Sequence, residues 1–532
     1  MSGTSNTKRT KAFADMRDWI EWLEAQGQLR RVKAEVDWDL ELSGIVRTVQ
    51  AKVGPALLFE NIKDYKDTRG RRLFISGLSS YQRIAAMLGL PMDTPPADMI
   101  KQVRQTYREQ VHPMLVSTGP VKENIVTGDD INLFDFPVPK YHARDGGRYM
   151  DTFAAVITKD PETGEVNVGM YRGMLLGKNK IGKLMVLAQH WGRHYAKYKE
   201  MGKPMPIAIV HGWDDAMPFC ACSPIPHKGY SEWDVIGAIR GEPVQLVKCE
   251  TSDLEVPASA EIVVEGTMSA DPATFEMEGP FGEYTGFREG KASLKPVVQV
   301  QCITHRNDPI LRAYVEGTRA GMPIEEGYIY PISLSAIAWN VLEDAGIPGV
   351  TDVWCTPVTL GTTTIVQIRK QHRGHAQQVA AALWASSSSL YFYKHVIVVE
   401  EDIDIRSWED VDWAMAYRVN AGEPGDLTVF GPTGGSVLDP STRLEDRDPM
   451  AFGTGKWHRV LIDATRNWNF PRRPEYNGHV YPPVNKLPIS VEQLVARRWK
   501  EYDLGIDYLT EAQRKKLTLE HLIDVLPVVG SD

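Results

Sequence analysis

Between residues 115 and 315 the apolar residues come in short runs broken by turn formers: PMLVSTGP, FAAVITKDPETGEVNVGMYRGMLLG, PIAIVHGW, PVQLVKCETSDLEVP, AEIVVEGTM and PVVQVQCITHRNDPILRAYV. Runs of this length between glycines and prolines read as strands, not as helices. Asp160-Pro-Glu-Thr-Gly164 separates two of them and reads as a hairpin turn. Many strands with few helices predict a β-barrel or compact sheet domain in the middle of the chain.

The flanks differ. Residues 14–25 place Met16, Ile20 and Leu23 on one helical face. Short strands follow at 56–59 and 72–76, and residues 81–110 read as helix broken by PMDTPP. Residues 331–346 predict a helix ending at a glycine. Strand and helix then alternate through VTDVWCTP, TTTIVQIRK, HAQQVAAALWASS, HVIVVEEDIDI and WEDVDWAMAYRV, an α/β second domain. A proline-rich tail leads to amphipathic helical segments from about 490, suited to docking on a neighbouring subunit. At 532 residues, two or three domains are the prior expectation.

Composition excludes some functions. Net charge is -9 with acids and bases interspersed, which argues against nucleic acid as a partner. No apolar run has the length of a membrane span, and the N-terminus lacks the apolar core of a signal peptide. Five cysteines in so long a chain form no disulfide framework, and a reducing cytoplasm fits them. Cys220-Ala-Cys222 has no second pair to complete a metal site.

Gly177 to Lys183 match G-x-x-x-x-G-K, but Leu184 stands where a P-loop needs Ser or Thr, so the segment reads as a basic loop or as a loop that meets some other phosphate, not as a nucleotide triphosphatase site. No G-x-G-x-x-G follows a strand, so a Rossmann dinucleotide site has no support. Val166 to Arg172 reads as a strand with Asn167, Gly169 and Tyr171 on one face; Arg172 points the other way unless a bulge re-aims it. Gln189-His190 follows the apolar, helical-looking KLMVLAQHWGRHY, and Ser231 is a candidate N-cap with Glu232 in the first turn.

FEMEGPFGEYTGF at 275–287 is the most informative stretch. Neither a strand nor a helix puts residues five apart on one face, so Glu278 and Glu283 meet only across a turn, which Gly-Pro-Phe-Gly favours. A solvated acidic loop, metal ligands, or an acid and base sharing one site all stay open. Phe281, Tyr284 and Phe287 argue for burial. In one dry site, mutual repulsion raises at least one carboxyl pKa towards neutrality.

Taken in order, the motifs resemble the UbiD family of reversible decarboxylases. They are N-x-G-x-Y-R (167–172), Gln189-His190, Ser231-Glu232, LEVPASAEI (254–262), EGPFGE (278–283), VEEDID (399–404) with Trp413, and LDPS (438–441). The resemblance spans about 15 to 470. It implies an α+β fold in five parts. An N-terminal α/β segment (1–114) packs on a prenylated-FMN-binding split β-barrel (115–325). A helical linker (326–347), a C-terminal α/β oligomerisation domain (348–475) and an interface tail (476–532) follow. Asn167, His190 and Glu232 resemble the ligands of a divalent ion, commonly manganese, that holds the cofactor phosphate with potassium nearby. Met170, Tyr171, Arg172, Gln189, Trp191 and Gly192 complete the implied cofactor site. Arg172, Glu278 and Glu283 resemble the catalytic Glu-Arg-Glu network, with Glu283 as proton donor; Glu276 lies outside the pattern.

The implied reaction is reversible decarboxylation of an aromatic or heteroaromatic acid. Removing carbon dioxide from such an acid leaves a carbanion that no side chain stabilises adequately, so a cofactor must carry the electrons. A flavin prenyltransferase would supply that cofactor, and homodimers or homohexamers are the expected assemblies. Carboxylation, an aromatic acyl-CoA substrate, an ordinary FMN oxidoreductase and a non-catalytic assembly subunit are the alternatives. Glu316 to Glu326 is expected near the pocket mouth, with Arg319 and Glu325 as candidate substrate contacts.

Overall fold

The computed structural model describes residues 12–225, 229–288, 291–317, 324–483, 487–511 and 513–514. The fold is mixed α+β. In its central sheet the strands lie in the order Val166–Gly169, Ala155–Lys159, Met205–His211, Ile262–Met268, Val297–His305, Lys180–Lys183 and Gly173–Gly177. Every neighbouring pair is antiparallel, and Asn124–Thr127 pairs with Val297–His305 off this path. The turn at 160–164 is the predicted hairpin turn, with Gly164 at φ +76°.

The two ends of this sheet are consecutive in the chain. Val166–Gly169 and Gly173–Gly177 are its opposite edges, joined by Met170, Tyr171 and Arg172 alone. Seven strands laid flat would hold these edges about 29 Å apart. Four residue steps reach about 14 Å at most. The sheet is therefore rolled. No ladder joins its two edges among the described residues, so the expected barrel is an open one. The predicted strand at 166–172 stops at Gly169 because Met170 to Arg172 must cross this gap.

Alternate residues of the central strands enter different cores. Ile207 and Ile209 pack on one side with Tyr149, Trp191 and Phe281. Ala208 and Val210 pack on the other, against the helices. Burial on both faces explains why these strands read as nearly continuous apolar runs instead of alternating ones.

The helix Met16–Ala25 buries Met16, Trp19, Ile20 and Leu23 and is capped by Asp15. An N-terminal sheet orders Leu29–Val32, Ala56–Phe59, Arg72–Ile75 and Ile310–Arg312, so its last strand returns from the end of the central segment. Helices Tyr81–Met87 and Pro96–Thr106 flank the predicted PMDTPP break. The helix predicted at 331–346 spans Glu326–Asp344, tolerating Pro331 inside it. Beyond it, Val350–Cys355, Thr363–Ile368, His395–Glu400, Gly455–Asp463 and Leu427–Gly435 form a sheet, parallel at its centre and antiparallel at both edges. Helices His375–Ala385 and Trp408–Arg418 accompany it.

Two local expectations are corrected. The G-x-x-x-x-G-K segment is a β-hairpin, not a loop, and Lys183 at its end is fully buried. KLMVLAQHWGRHY is not one helix: its first residue, Lys183, ends a strand, and the helix begins only at His190. Among the described residues, no helix is long and apolar enough to cross a membrane, and all five cysteines are free.

Candidate active site

A cavity of about 240 Å³ lies where the gap in the rolled sheet faces the C-terminal part of the chain. Met170, Tyr171 and Arg172 form the gap side, and Phe392 and Leu438 belong to the opposite wall. Arg172 sits here because the strand has ended, so its side chain is free of the period-two alternation.

Arg172 is buried between two carboxylates. Its Nε and Nη2 donate to Glu278 Oε1 and Oε2 at 3.1 and 2.9 Å, a bidentate pair. Its Nη1 donates to Glu283. The guanidinium carbon also lies 5.6 Å from the centre of the Phe281 ring. Glu278 faces away from the cavity and accepts a further hydrogen bond from the Tyr149 hydroxyl at 2.9 Å. Glu283 lines the cavity. Removing one partner of such a buried pair costs about 3–5 kcal/mol, which makes Glu278 the anchor of Arg172.

The turn between the two glutamates is held by specific contacts. Glu278 ends the strand Glu276–Glu278. Gly279 then takes φ +92°, a left-handed conformation that favours glycine. Gly146 N–H donates to the Pro280 carbonyl at 2.8 Å, and Gly282 N–H to Asp145 Oδ1 at 3.0 Å. A Cβ on Gly282 would lie 2.6 Å from the His142 ring. Phe281 is buried against Tyr149, their rings 4.1 Å apart. The turn that the sequence requires is thus built, and both carboxylates reach one arginine. Glu276 pairs with Lys180 at the half-exposed edge, an ordinary charge.

Asn167, His190 and Glu232 all line the same cavity. Asn167 comes from the edge strand, with its Nδ2 donating to the Tyr171 hydroxyl at 3.3 Å. His190 and Glu232 each open a helix, His190–Glu200 and Glu232–Arg240. Ser231 caps its helix as predicted, but in a box with Asp234, so Glu232 is not needed there. Glu232 Oε2 accepts instead from Val168 N–H at 2.9 Å, which ties this helix to the edge strand. The helix at His190 has no side-chain cap. A carboxamide, an imidazole and a carboxylate beside an uncapped helix N-terminus fit a divalent cation and a phosphate. Only two of these three candidates are His, Cys, Asp or Glu, and no cluster of three such residues placed to hold a metal occurs among the described residues.

Met170, Tyr171, Arg172 and Gln189 line the cavity, whereas Trp191 and Gly192 do not. Trp191 is fully buried and stacks on Tyr171 at 4.2 Å, so it supports the wall from behind. A Cβ on Gly192 would lie 2.2 Å from the Val186 carbonyl, so this glycine serves close packing. Glu325 also has a structural role: with Asp215 it holds the fully buried Arg312, and it accepts from Ser76 and Leu78 N–H. Arg319 lies outside the described residues.

Several groups at the site carry no sequence motif. Lys183 Nζ donates to Asp151 Oδ2 at 2.5 Å and to the Tyr171 carbonyl at 3.0 Å, and Asp151 Oδ1 lies 3.2 Å from His211 Nε2. All three residues are buried, and Asp151 reaches the cavity wall. Glu316 and Glu326 also line the cavity, ten residues apart in sequence. Burial pushes the Glu316 carboxyl well above the carboxylate range, helped by Glu326 and Glu283. Burial likewise raises the Glu326 carboxyl to about 7. The run Glu316 to Glu326, expected near the pocket mouth, thus contributes its two end residues to the lining, although no motif marks either acid.

Three family models match the chain: the N-terminal, Rift-related and C-terminal domains of 3-octaprenyl-4-hydroxybenzoate carboxy-lyase, over residues 20–103, 114–319 and 328–464. A pyrrole-2-carboxylic acid decarboxylase of Pseudomonas aeruginosa is 34% identical over 511 residues, covering 93% of this chain and 99% of that one. A phenolic acid decarboxylase of Bacillus subtilis is 32% identical over 493 residues, covering 91% and 98%. Among solved structures, the closed form of vanillic acid decarboxylase from Sedimentibacter hydroxybenzoicus superposes with a TM-score of 0.82 at 30% identity, covering 93% and 100%. The UbiD-class enzyme HmfF from Pelotomaculum thermopropionicum, in complex with FMN, gives 0.72 at 32% identity, covering 86% and 95%. Whole-length similarity over all three domains, together with the gap that presents Arg172 to Glu278 and Glu283, establishes that the chain belongs to the UbiD family of carboxy-lyases.

Proposed function

We propose that this protein decarboxylates an aromatic or heteroaromatic carboxylic acid, reversibly, with prenylated FMN and a divalent metal, commonly manganese, beside potassium. The observation that carries the reading is Arg172 held between Glu278 and Glu283 on a cavity wall that also bears Asn167, His190 and Glu232. Family relatives support it: HmfF has been solved with FMN and, in an evolved dimeric form, with prFMN. In this reading the rolled sheet is the flavin-binding split barrel, Glu326–Asp344 the linker, and residues 348–475 the domain that assembles dimers or hexamers.

The bound flavin would supply the electron sink for the carbanion left by carbon dioxide. This chain's residues do the rest. Asn167, His190 and Glu232 would hold the metal beside the cofactor phosphate. Tyr171, Met170 and Gln189 line the flavin's side of the cavity. Arg172 keeps Glu283 oriented, and Glu278 with Tyr149 keeps Arg172 oriented. Glu283 gives its proton to the ring carbon from which carbon dioxide departs, so that RCOO⁻ and one proton become RH and CO₂. In the carboxylation direction Glu283 takes that proton back.

The test is co-expression with a flavin prenyltransferase. The purified protein should carry prenylated FMN by mass and absorbance, with bound divalent metal. It should also release carbon dioxide from, or exchange ring protons with deuterium in, at least one aromatic acid. Chelation should release the flavin. Redox turnover on unmodified FMN would replace this reading with an oxidoreductase, and failure to take up flavin and metal at all would replace it with an assembly subunit.

A further inference from the structure

The wall opposite Arg172 is made of two segments distant in sequence. Leu390, Tyr391 and Phe392 come from the loop 386–393, and Val437 and Leu438 follow the strand Leu427–Gly435. The loop's backbone is strained. It opens as a four-residue 3₁₀ turn, Ser387–Leu390, and closes with Tyr393 at φ +59°. That left-handed conformation is a steric outlier for a bulky side chain. Such a conformation persists only where the surroundings over-determine it.

Arg459 does this. It lies on the strand Gly455–Asp463 and is 1% exposed. Its Nη1 donates to the Phe392 and Tyr393 carbonyls at 2.7 and 3.2 Å, and its Nη2 to the Ser389 carbonyl at 2.7 Å. On the other side Nη2 donates to the Gly434 carbonyl at 3.0 Å and Nε to Thr433 Oγ1 at 2.8 Å. All five N–H bonds of the guanidinium are therefore in use, three towards the loop and two towards the strand end that leads into Val437 and Leu438. Trp384 Nε1 adds a further donor to the Tyr393 carbonyl at 2.8 Å.

The charge is more than packing requires. Among the described residues the Arg459 guanidinium is met by carbonyl and hydroxyl oxygens, without a carboxylate. Burial lowers its pKa to about 10, so it stays a cation at neutral pH. A buried cation without a counter-charge is costly to desolvate, and an apolar side chain of like volume would fill the same space more cheaply. What arginine alone supplies is a rigid planar fork whose donors fix several acceptors at once. The fixed position is passed on to the cavity surface. Phe392 packs edge-on against Tyr330, 5.5 Å between ring centres, and the Tyr330 hydroxyl donates to Glu326 Oε1 at 3.2 Å.

We propose that Arg459 is a positioning residue for substrate: it fastens the 389–393 loop to the 433–434 strand end, and the spacing fixed in this way sets the ring size that the cavity admits. Arg459 does not itself line the cavity. It acts through Leu390, Phe392, Val437 and Leu438, which do. This inference rests on the decarboxylase reading and adds a determinant of its specificity.

The test compares one-ring with two-ring acids on the flavin- and metal-loaded enzyme by solvent deuterium exchange. The pairs are furan-2-carboxylate with benzofuran-2-carboxylate, and benzoate with 2-naphthoate. A fitted apolar pocket discriminates by about 10–200-fold for a single methylene. Arg459→Met should therefore move the one-ring to two-ring ratio of kcat/KM towards unity by about 10-fold or more in at least one pair. The change should lie in KM, with kcat for the preferred acid altered less. Arg459→Lys, which keeps the charge but has a single nitrogen, should move the ratio part of the way. Thr433→Val removes only the Nε acceptor, at a half-buried position, and should shift the ratio in the same direction; it decides the matter where the Arg459 variants do not fold. A merely structural role lowers exchange of all acids alike and leaves the ratio where it was. An unchanged ratio in the folded variants, or a wild-type ratio near unity in both pairs, overturns this inference and leaves the decarboxylase reading intact. Exchange of no aromatic acid by the loaded wild-type enzyme overturns both.

Discussion

Replacing Glu283 by glutamine separates chemistry from structure. Arg172 makes two of its carboxylate contacts with Glu278 and one with Glu283. Glutamine preserves the acceptor oxygen towards Nη1 and removes only the charge. An ion pair then becomes a hydrogen bond from the charged guanidinium to a neutral amide oxygen, a loss of about 1 kcal/mol, which in a chain of this size lowers Tm by no more than about 2–4 °C. An amide cannot deliver a proton, however, so loss of general acid catalysis should cut turnover by about 10²–10⁴-fold, or roughly 3–5 kcal/mol in the barrier. Glu278→Gln inverts the pattern. That residue accepts from Nε, Nη2 and Tyr149, so an amide NH₂ must face a donor, and the cost in stability should be larger. The assay is carbon dioxide release and deuterium exchange at equal flavin loading, beside thermal melts. Turnover of E283Q within about threefold of wild type would refute Glu283 as the acid, because no general-acid contribution is that small.

Other perturbations address the scaffold. Gly282→Ala drives a Cβ to 2.6 Å from the His142 ring, so it should destabilise by about 1–3 kcal/mol and lower turnover by displacing Glu283; melts and kinetics on one preparation would show both. Lys183→Met leaves Asp151 and the Tyr171 carbonyl without their shared donor in a dry core, a loss of about 3–5 kcal/mol, and a denaturation midpoint equal to wild type would contradict it. The Glu326 carboxyl, raised from 4.5 to about 7 by burial, keeps its proton in the folded state after the unfolded chain has released it. Its contribution to stability is therefore full below about pH 4.5 and lost as pH rises towards 7. Glu326→Gln should remove that slope, so the variant should compare better with wild type at pH 8 than at pH 5 in urea titrations; a difference independent of pH would rule the shift out.

Much of this protein is written in local pattern. Short apolar runs between turn formers identify strands because each needs only a few residues and its flanking punctuation. The helix Met16–Ala25, the hairpin at 160–164 and the cap at Ser231 follow from the same local chemistry. The spacing of Glu278 and Glu283 around Gly-Pro-Phe-Gly also states a fact about geometry: the two carboxylates meet in a turn or not at all. The order of motifs along the chain is enough to place it in its family.

What local pattern does not contain is which ends are brought together. KLMVLAQHWGRHY has helical spacing, but its first residue, Lys183, ends the strand Lys180–Lys183, which pairs with Val297–His305 over one hundred residues away, and the helix begins only at His190. The strand at 166 stops at Gly169 because three residues must bridge the edges of a rolled sheet, and that closure aims Arg172 at its glutamates. Glu325 and Glu326 are adjacent and chemically identical, yet one neutralises Arg312 in the core while the other faces the cavity. Sequence alone determined the residue types, the turn and the family. Tertiary structure decided which carboxylate is enclosed with Tyr149 and Arg172, which one lines the cavity and which neutralises Arg312 in the core, because burial and the distance to a charge are properties of the packed chain.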